Sequence, residues 1–361
     1  MRLREIIKTF KPYEWEPSNE QLSRKLGIPK EEILRFDMNT MPFHPRELME
    51  KFARIAVELP VNEYPDPTYS ELREALAKYL NIDMDNLMVT VGADEALDII
   101  AKTFIDPGTE ALVSSPTYSM YRVTIEALGG KIRQILRRED FSDDMDSLIG
   151  ESKKTIVRAI FLCSPNNPTG NTIQREEAVR LLNETDCAVI VDESYAEFSG
   201  ETLVNLTEDY ENLIIIRTFS KAFSLAGVRV GYVVANKNTI KLLNAMRPPN
   251  SVSVISLALA KLALENVDYM VKGVREVISE RERLQRELSL LPNVKVYPSK
   301  ANFILVRFSG VSASTVYDRL LREGIVVRKL SGPMLENCLR ITVRLRSDND
   351  RLIRTLKRIL S

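Results

Sequence analysis

The chain has 361 residues, 44% hydrophobic and 28% charged, a composition that suits a packed globular protein and is too apolar for a disordered one. Lys+Arg and Asp+Glu number 50 each, so no net charge draws the chain toward nucleic acid or anionic membrane. One histidine, His44, excludes a His-rich metal centre, and three scattered cysteines (Cys163, Cys187, Cys338) with no CxxC pair predict a reducing, cytoplasmic location.

Residues 1–42, rich in Pro, Glu and Lys, read as an arm carrying a short helix. Charges interrupt its start too early for a signal peptide, and nowhere does the chain approach the ~18 apolar residues of a membrane span. From about Pro45 the pattern becomes regular. ELMEKFARIAVEL has helical spacing, and Thr68 with Glu71 predicts a capping box opening a helix in TYSELREALAKYL. Short β-branched runs then alternate with helical stretches: LMVTV (87–91), a helix from Ala93, ALVSS (111–115), TIVRAIFLC (155–163), CAVIVD (187–192), LIIIRT (213–218) and VRVGYVVA (228–235). Most of these runs are apolar throughout, as strands covered on both faces must be. The expectation is a large wound α/β domain over 43–246.

Arg247-Pro248-Pro249-Asn250 breaks the chain, and residues 251–291 read as one long connecting helix. The strands VKVYP, NFILVRF, GIVVRK and CLRITVR and a basic last helix complete a smaller α+β domain over 247–361, to which the arm is expected to belong. His44 receives no role, and Cys163 and Cys187 read as core thiols.

Ligands in α/β cores gather at the carboxyl ends of strands. Four such ends are polar: Gly92-Ala93-Asp94-Glu95, Ser164 to Gly170, Asp192-Glu193-Ser194-Tyr195, and Thr218-Phe219-Ser220-Lys221. Taken singly, each has a structural explanation. Gly92 suits any strand-to-helix turn, Asp192 an N-cap or salt bridge, and Lys221 a loop edge. Taken together they are a helix start for a phosphate, an acid for a pyridinium nitrogen and an amine for a Schiff base, the parts that pyridoxal phosphate needs.

SPNNPTG, DESYAEF and TFSKAFSLAGVRVGY resemble, in order and spacing, the fold-type I pyridoxal-phosphate aminotransferases of class I/II; Asn167 precedes Asp192 by 25 residues and Asp192 precedes Lys221 by 29. The resemblance implies that Lys221 carries pyridoxal 5′-phosphate as a Schiff base and moves the substrate proton, with Asp192 on the pyridine nitrogen and Asn167 and Tyr195 on the ring hydroxyl. It implies Tyr118 against the ring face, and the phosphate on Ala93, Asp94, Thr218, Ser220 and Arg229. Tyr64 in EYPDP would reach the phosphate of a neighbouring subunit, which implies a homodimer.

Within the family, KPYEWEP, GADE, PTYSMY, GIVVRKL and CLRITV are most similar to the histidinol-phosphate aminotransferases. That likeness implies a phosphorylated amine as substrate, a 2-oxo acid as acceptor, and Tyr13, Asn39, Arg328 and Arg340 as substrate-binding residues. Arginine forks suit carboxylate as well as phosphate. Arg344, where the family has glycine after LRITV, is shared with threonine-phosphate decarboxylases. That activity, and transfer from aromatic or acidic amino acids, stay as alternatives. An aminotransferase-like transcription regulator would need a DNA-binding domain, and the ~40 residues before the core show no helix-turn-helix pattern.

Overall fold

A computed structural model describes all 361 residues. Twelve strands form two sheets. Counting in chain order, they are β1 (Leu34–Phe36), β2 (Leu87–Thr90), β3 (Glu110–Ser115), β4 (Lys131–Leu136), β5 (Val157–Cys163), β6 (Ala188–Asp192), β7 (Leu213–Thr218), β8 (Gly231–Ala235), β9 (Val294–Val296), β10 (Phe303–Phe308), β11 (Ile325–Lys329) and β12 (Cys338–Thr342). The larger sheet has the order β2-β8-β7-β6-β5-β3-β4, and the smaller β1-β11-β12-β10-β9. In the larger sheet β8 alone runs antiparallel to its neighbours. The carboxyl ends of β2, β5, β6 and β7 therefore open on the same edge.

The apolar runs follow from burial on both sides. Val189 and Val191 of β6 join one hydrophobic core, while Ile190 between them joins the other; Ile215 and Ile214 of β7 divide in the same way. The larger core does not stop at the first sheet. It continues through Phe303, Ile304 and Val306 of β10 and Leu339 and Ile341 of β12, so one apolar mass joins the two sheets. The arm contributes the short helix Asn19–Leu26, closed at its start by a Ser18/Gln21 capping box, and β1, which pairs in parallel with β11.

Several elements differ from the sequence expectation. β4 went unpredicted because it is an edge strand whose residues are exposed or half-buried, so KIRQIL lacks the apolar run of its neighbours. The Thr68/Glu71 capping box does not form. The helix begins at Ser70 after a left-handed Tyr69, and the Asp66 carboxylate makes the turn instead, accepting from the Thr68 and Ser70 backbone N–H groups at 2.9 and 2.8 Å. The stretch 251–291 is two helices, Val254–Glu265 and Asp268–Ser289, because Asn266 turns its side chain back onto the Leu262 carbonyl and ends the first. The strand predicted from residue 228 starts at Gly231, since Ala226–Val228 is a 3₁₀ turn and Arg229 is left-handed (φ 56°). No helix is long and apolar enough to cross a membrane.

Gly231 lies where β8 passes beneath the start of the helix Gly92–Phe104. A Cβ there would stand 2.5 Å from the Gly92 carbonyl carbon and 2.9 Å from the Ala93 nitrogen. Both obstacles are backbone, so Gly231→Ala is expected to lower stability by ~1–3 kcal/mol in denaturant melts. A change below about 0.5 kcal/mol would mean that the helix start yields freely.

Candidate active site

The four polar strand ends and the smaller sheet enclose a cavity of about 310 Å³, within the range of small-molecule sites. Ala93, Asp94, Tyr118, Asn167, Asp192, Tyr195, Thr218, Ser220, Lys221 and Arg229 all line it, as do Tyr13, Asn39 and Arg340. A second cavity of about 350 Å³ adjoins it, shares Tyr13, Tyr118, Asn167 and Arg340, and includes Arg328.

One end of the first cavity is built for an anion. The helix Gly92–Phe104 presents its N-terminus there, with Ala93 and Asp94 on the wall. The left-handed backbone at Arg229 aims its guanidinium under this helix start, donating to Ser220 Oγ at 3.3 Å and pairing with Asp94 at 3.3 Å. Gly92 itself is left-handed (φ 71°), a conformation that favours glycine, and a Cβ there would also stand 2.6 Å from that guanidinium. Thr218 and Ser220 hydroxyls stand 2.9 Å apart beside it.

At the other end of the floor, Asp192 terminates β6 and is 4% exposed. Its carboxylate accepts from the Tyr121 hydroxyl at 3.0 Å and the Ser194 N–H at 2.9 Å, and burial raises its pKa above the usual value because those donors do not replace lost water fully. Tyr121 was not foreseen, although it lies three residues beyond Tyr118 in PTYSMY, in the first turn of the helix Met120–Ala127. One residue further on, Glu193 receives two bonds from Arg217 (2.8 and 3.1 Å), while Glu197 takes a third at 3.2 Å. This buried cluster ties the end of β6 to the end of β7, and thus Asp192 to Thr218 and the lysine loop.

Lys221 Nζ borders the cavity, 3.4 Å from the Met38 carbonyl and 5.7 Å from the centre of the Tyr195 ring. The side chain is half-buried by area only because it faces the cavity, and protein surrounds it elsewhere. Burial first, then the Arg340 charge, lowers its pKa from 10.5 to about 8. Tyr118 donates toward Asp94 at 3.3 Å, which fixes its ring at the cavity wall.

The smaller sheet contributes the opposite wall. Arg340 on β12 is buried, donating to the Asn167 side-chain oxygen at 2.6 Å and to the Asp37 carbonyl, with Nε left unpartnered. Asn167 accepts from Arg340 through its oxygen, which leaves its amide NH₂ without a bond to protein. Arg328 on β11 is directly opposite Arg340 in the register. Asn39, 1% exposed and left-handed (φ 54°), donates to the Tyr195 hydroxyl at 3.1 Å and is held by Thr342 at 3.0 Å. Asn39 thus joins the arm, β12 and Tyr195, a junction that its sequence context did not signal. Tyr64 is not brought to this cavity and is 86% exposed. Arg344 points away from it, bonding Asp348 at 2.9 Å and the Arg35 carbonyl at 3.2 Å.

The sequence model of the aminotransferase class I and II family matches residues 31–356, which spans both sheets and every residue of the first cavity except Tyr13 and Glu16 of the arm. The chain belongs to that family. Among relatives of this aminotransferase, a histidinol-phosphate aminotransferase from Thermoanaerobacter pseudethanolicus is 41% identical over 99% of this chain and 98% of its own length. One of the same name from Methanocaldococcus jannaschii is 35% identical over 100% and 98%. Among solved structures, a histidinol-phosphate aminotransferase from Sinorhizobium meliloti in complex with pyridoxal-5′-phosphate superposes with a TM-score of 0.90, at 25% identity over 99% of this chain and 97% of that one. An L-threonine-O-3-phosphate decarboxylase from Porphyromonas gingivalis gives 0.80 at 28% identity, over 91% and 99%.

The depressed lysine has a direct test. In the cofactor-free protein, Lys221 is expected to react with an amine-directed acylating reagent with a pH midpoint near 8, being protonated and inert below it and neutral above it. Peptide mapping of the modified chain reads the rate at this lysine alone. A midpoint at or above 10, shared with surface lysines, would mean that the cavity does not desolvate the amine.

Proposed function

We propose that the chain is a pyridoxal-phosphate-dependent aminotransferase acting on histidinol phosphate, with a 2-oxo acid as the second substrate. The observation that carries this reading is the pairing of Arg328 with Arg340 on adjacent strands, beside a cavity whose far side holds Lys221 and Asp192. Two guanidinium groups a strand apart can share the oxygens of one phosphate. The names of the relatives support the same substrate.

The residues fit the cofactor. Asp192 is a buried carboxylate with neutral donors at both oxygens, and a protonated ring nitrogen would give it the cation it lacks. The helix start, Arg229, Thr218 and Ser220 form a separate seat for the phosphate group. When bound, the cofactor provides a carbonyl carbon that takes an amine and a ring that accepts the electron pair released at the substrate Cα.

The chain's own groups do the rest. Lys221, whose burial already favours the neutral amine, would take the proton from the substrate Cα once it is free. Asp192 keeps the ring nitrogen protonated, and so stabilises negative charge as it develops. The Asn167 side chain, held by Arg340, and the Tyr195 hydroxyl, which accepts from Asn39, would donate to the ring oxygen of the bound cofactor. Tyr118 covers the ring face. Arg328, Arg340 and Tyr13 hold the substrate's phosphate end, and Asn39 acts through Tyr195. The reading includes a cytoplasmic homodimer, in which the exposed Tyr64 reaches a neighbouring subunit's cofactor phosphate. A decarboxylase reading draws less support, because Arg344 is engaged with Asp348 rather than with the cavity.

A single half-reaction tests the proposal. Mixing the yellow holoenzyme with histidinol phosphate should convert the cofactor to its amine form without release of carbon dioxide, whereas threonine phosphate should not. Carbon dioxide release from threonine phosphate would overturn the reading. Lys221→Ala should lose both the visible absorbance and turnover. Arg328→Gln and Arg340→Gln should each raise KM for histidinol phosphate by roughly 10–100-fold, the weight of one or two charge-assisted hydrogen bonds.

A further inference from the structure

Residues 11–17 of the arm form a strap across the second cavity. Arginines clamp its two ends: Arg122 donates to the Lys11 carbonyl at 3.1 Å and Arg35 to the Pro17 carbonyl at 3.0 Å. Between the clamps, Tyr13 and Glu16 line the cavities, while Trp15 is 86% exposed. Trp15 meets the Tyr13 ring edge-on at 5.8 Å, and the Tyr13 hydroxyl donates to Glu16 at 3.2 Å. The Glu16 carboxylate forms an ion pair with Arg328.

The charges around that pair are unbalanced without Glu16. Arg328 and Arg340 are directly opposite each other on antiparallel strands, an arrangement that like charges disfavour. The acceptors bonded to Arg340 are both uncharged, the Asn167 side-chain oxygen and the Asp37 carbonyl. Glu16 is therefore the anion the chain itself places on Arg328, at the position where, on the assignment above, a substrate's anionic group docks.

We propose that Glu16 is an internal competitor for that group: its carboxylate holds Arg328 in the substrate-free enzyme and is displaced by the substrate's phosphate, which shifts the strap and frees the Tyr13 hydroxyl from Glu16 to turn to the phosphate. The proposal rests on the assignment of Arg328 and Arg340 given above. Exchange of one carboxylate for another on Arg328 leaves the number of charge-assisted bonds unchanged. A phosphate carries more charge and three acceptor oxygens, and it engages both arginines at once. Docking of the phosphate and movement of residues 11–17 are then one event.

Trp15 is the chain's only tryptophan and sits on the strap, so its emission reports on the strap alone. The experiment titrates the holoenzyme with inorganic phosphate, following binding by calorimetry and the strap by Trp15 emission. In the unmodified enzyme the two signals should saturate together. Glu16→Gln should bind phosphate about tenfold more tightly, since one charge-assisted contact no longer competes, and the emission change should be lost. Arg328→Gln should weaken phosphate binding at least tenfold. If Arg328→Gln weakens binding but Glu16→Gln does not tighten it, or if the unmodified enzyme binds phosphate with no change in emission, the competitor role is wrong. Unchanged binding in Arg328→Gln would instead overturn the assignment of Arg328, and the proposal with it.

Discussion

The site depends on one buried carboxylate. Asp192 ends a strand that is apolar from its first residue, and the two groups bonded to it, Tyr121 and Ser194, bring no positive charge. Isolated ionised groups in a protein interior are expensive to hold, and the usual escape is protonation. Here the direction of the Asp192 shift registers that tension. A cation placed over the cavity floor resolves it, and the other walls are arranged around that need: an anion seat at one end, an amine at the side and an arginine pair beyond.

The same arrangement explains why the supporting contacts lie where they do. The Arg217 cluster fixes the carboxyl ends of β6 and β7 relative to each other, so Asp192 and the loop bearing Lys221 cannot drift apart. Asn167 and Tyr195 receive their orientation from the other sheet, through Arg340 and Asn39. Both of these side chains are thus set by a partner on a different element. Under the proposed reading, a loss at Asn39 or Arg340 would reach the cofactor's ring oxygen without direct contact, as preorganised sites require.

Much of this was legible in the sequence because burial on both faces writes itself as unbroken apolar runs, and because polar residues at strand ends stand out against them. The runs at 159–163, 188–191 and 213–216 are of this kind. β4 was missed for the converse reason, as an edge strand carries no such run. Arg229 escaped the strand predicted around it, since its left-handed backbone is imposed by the guanidinium's place under Gly92 and leaves no trace in hydropathy. Asn39 and Glu16 were illegible in their roles for a further reason. Asn39 bonds Thr342 across 303 residues and Glu16 pairs with Arg328 across 312, and a single sequence carries no mark of such distant partners.

The apolar core that runs without a break from the larger sheet into β10 and β12 limits how a substrate can be admitted. Were the sheets hinged through a polar seam, the mouth could widen by swinging one against the other. With hydrocarbon shared between them, that swing would bare oily surface to water and is resisted throughout its course. Under the proposed role of Glu16, traffic through the mouth would fall to a piece of small inertia, a few mostly exposed arm residues whose displacement uncovers little apolar surface beyond the half-buried Tyr13 ring and a tryptophan that is already wet.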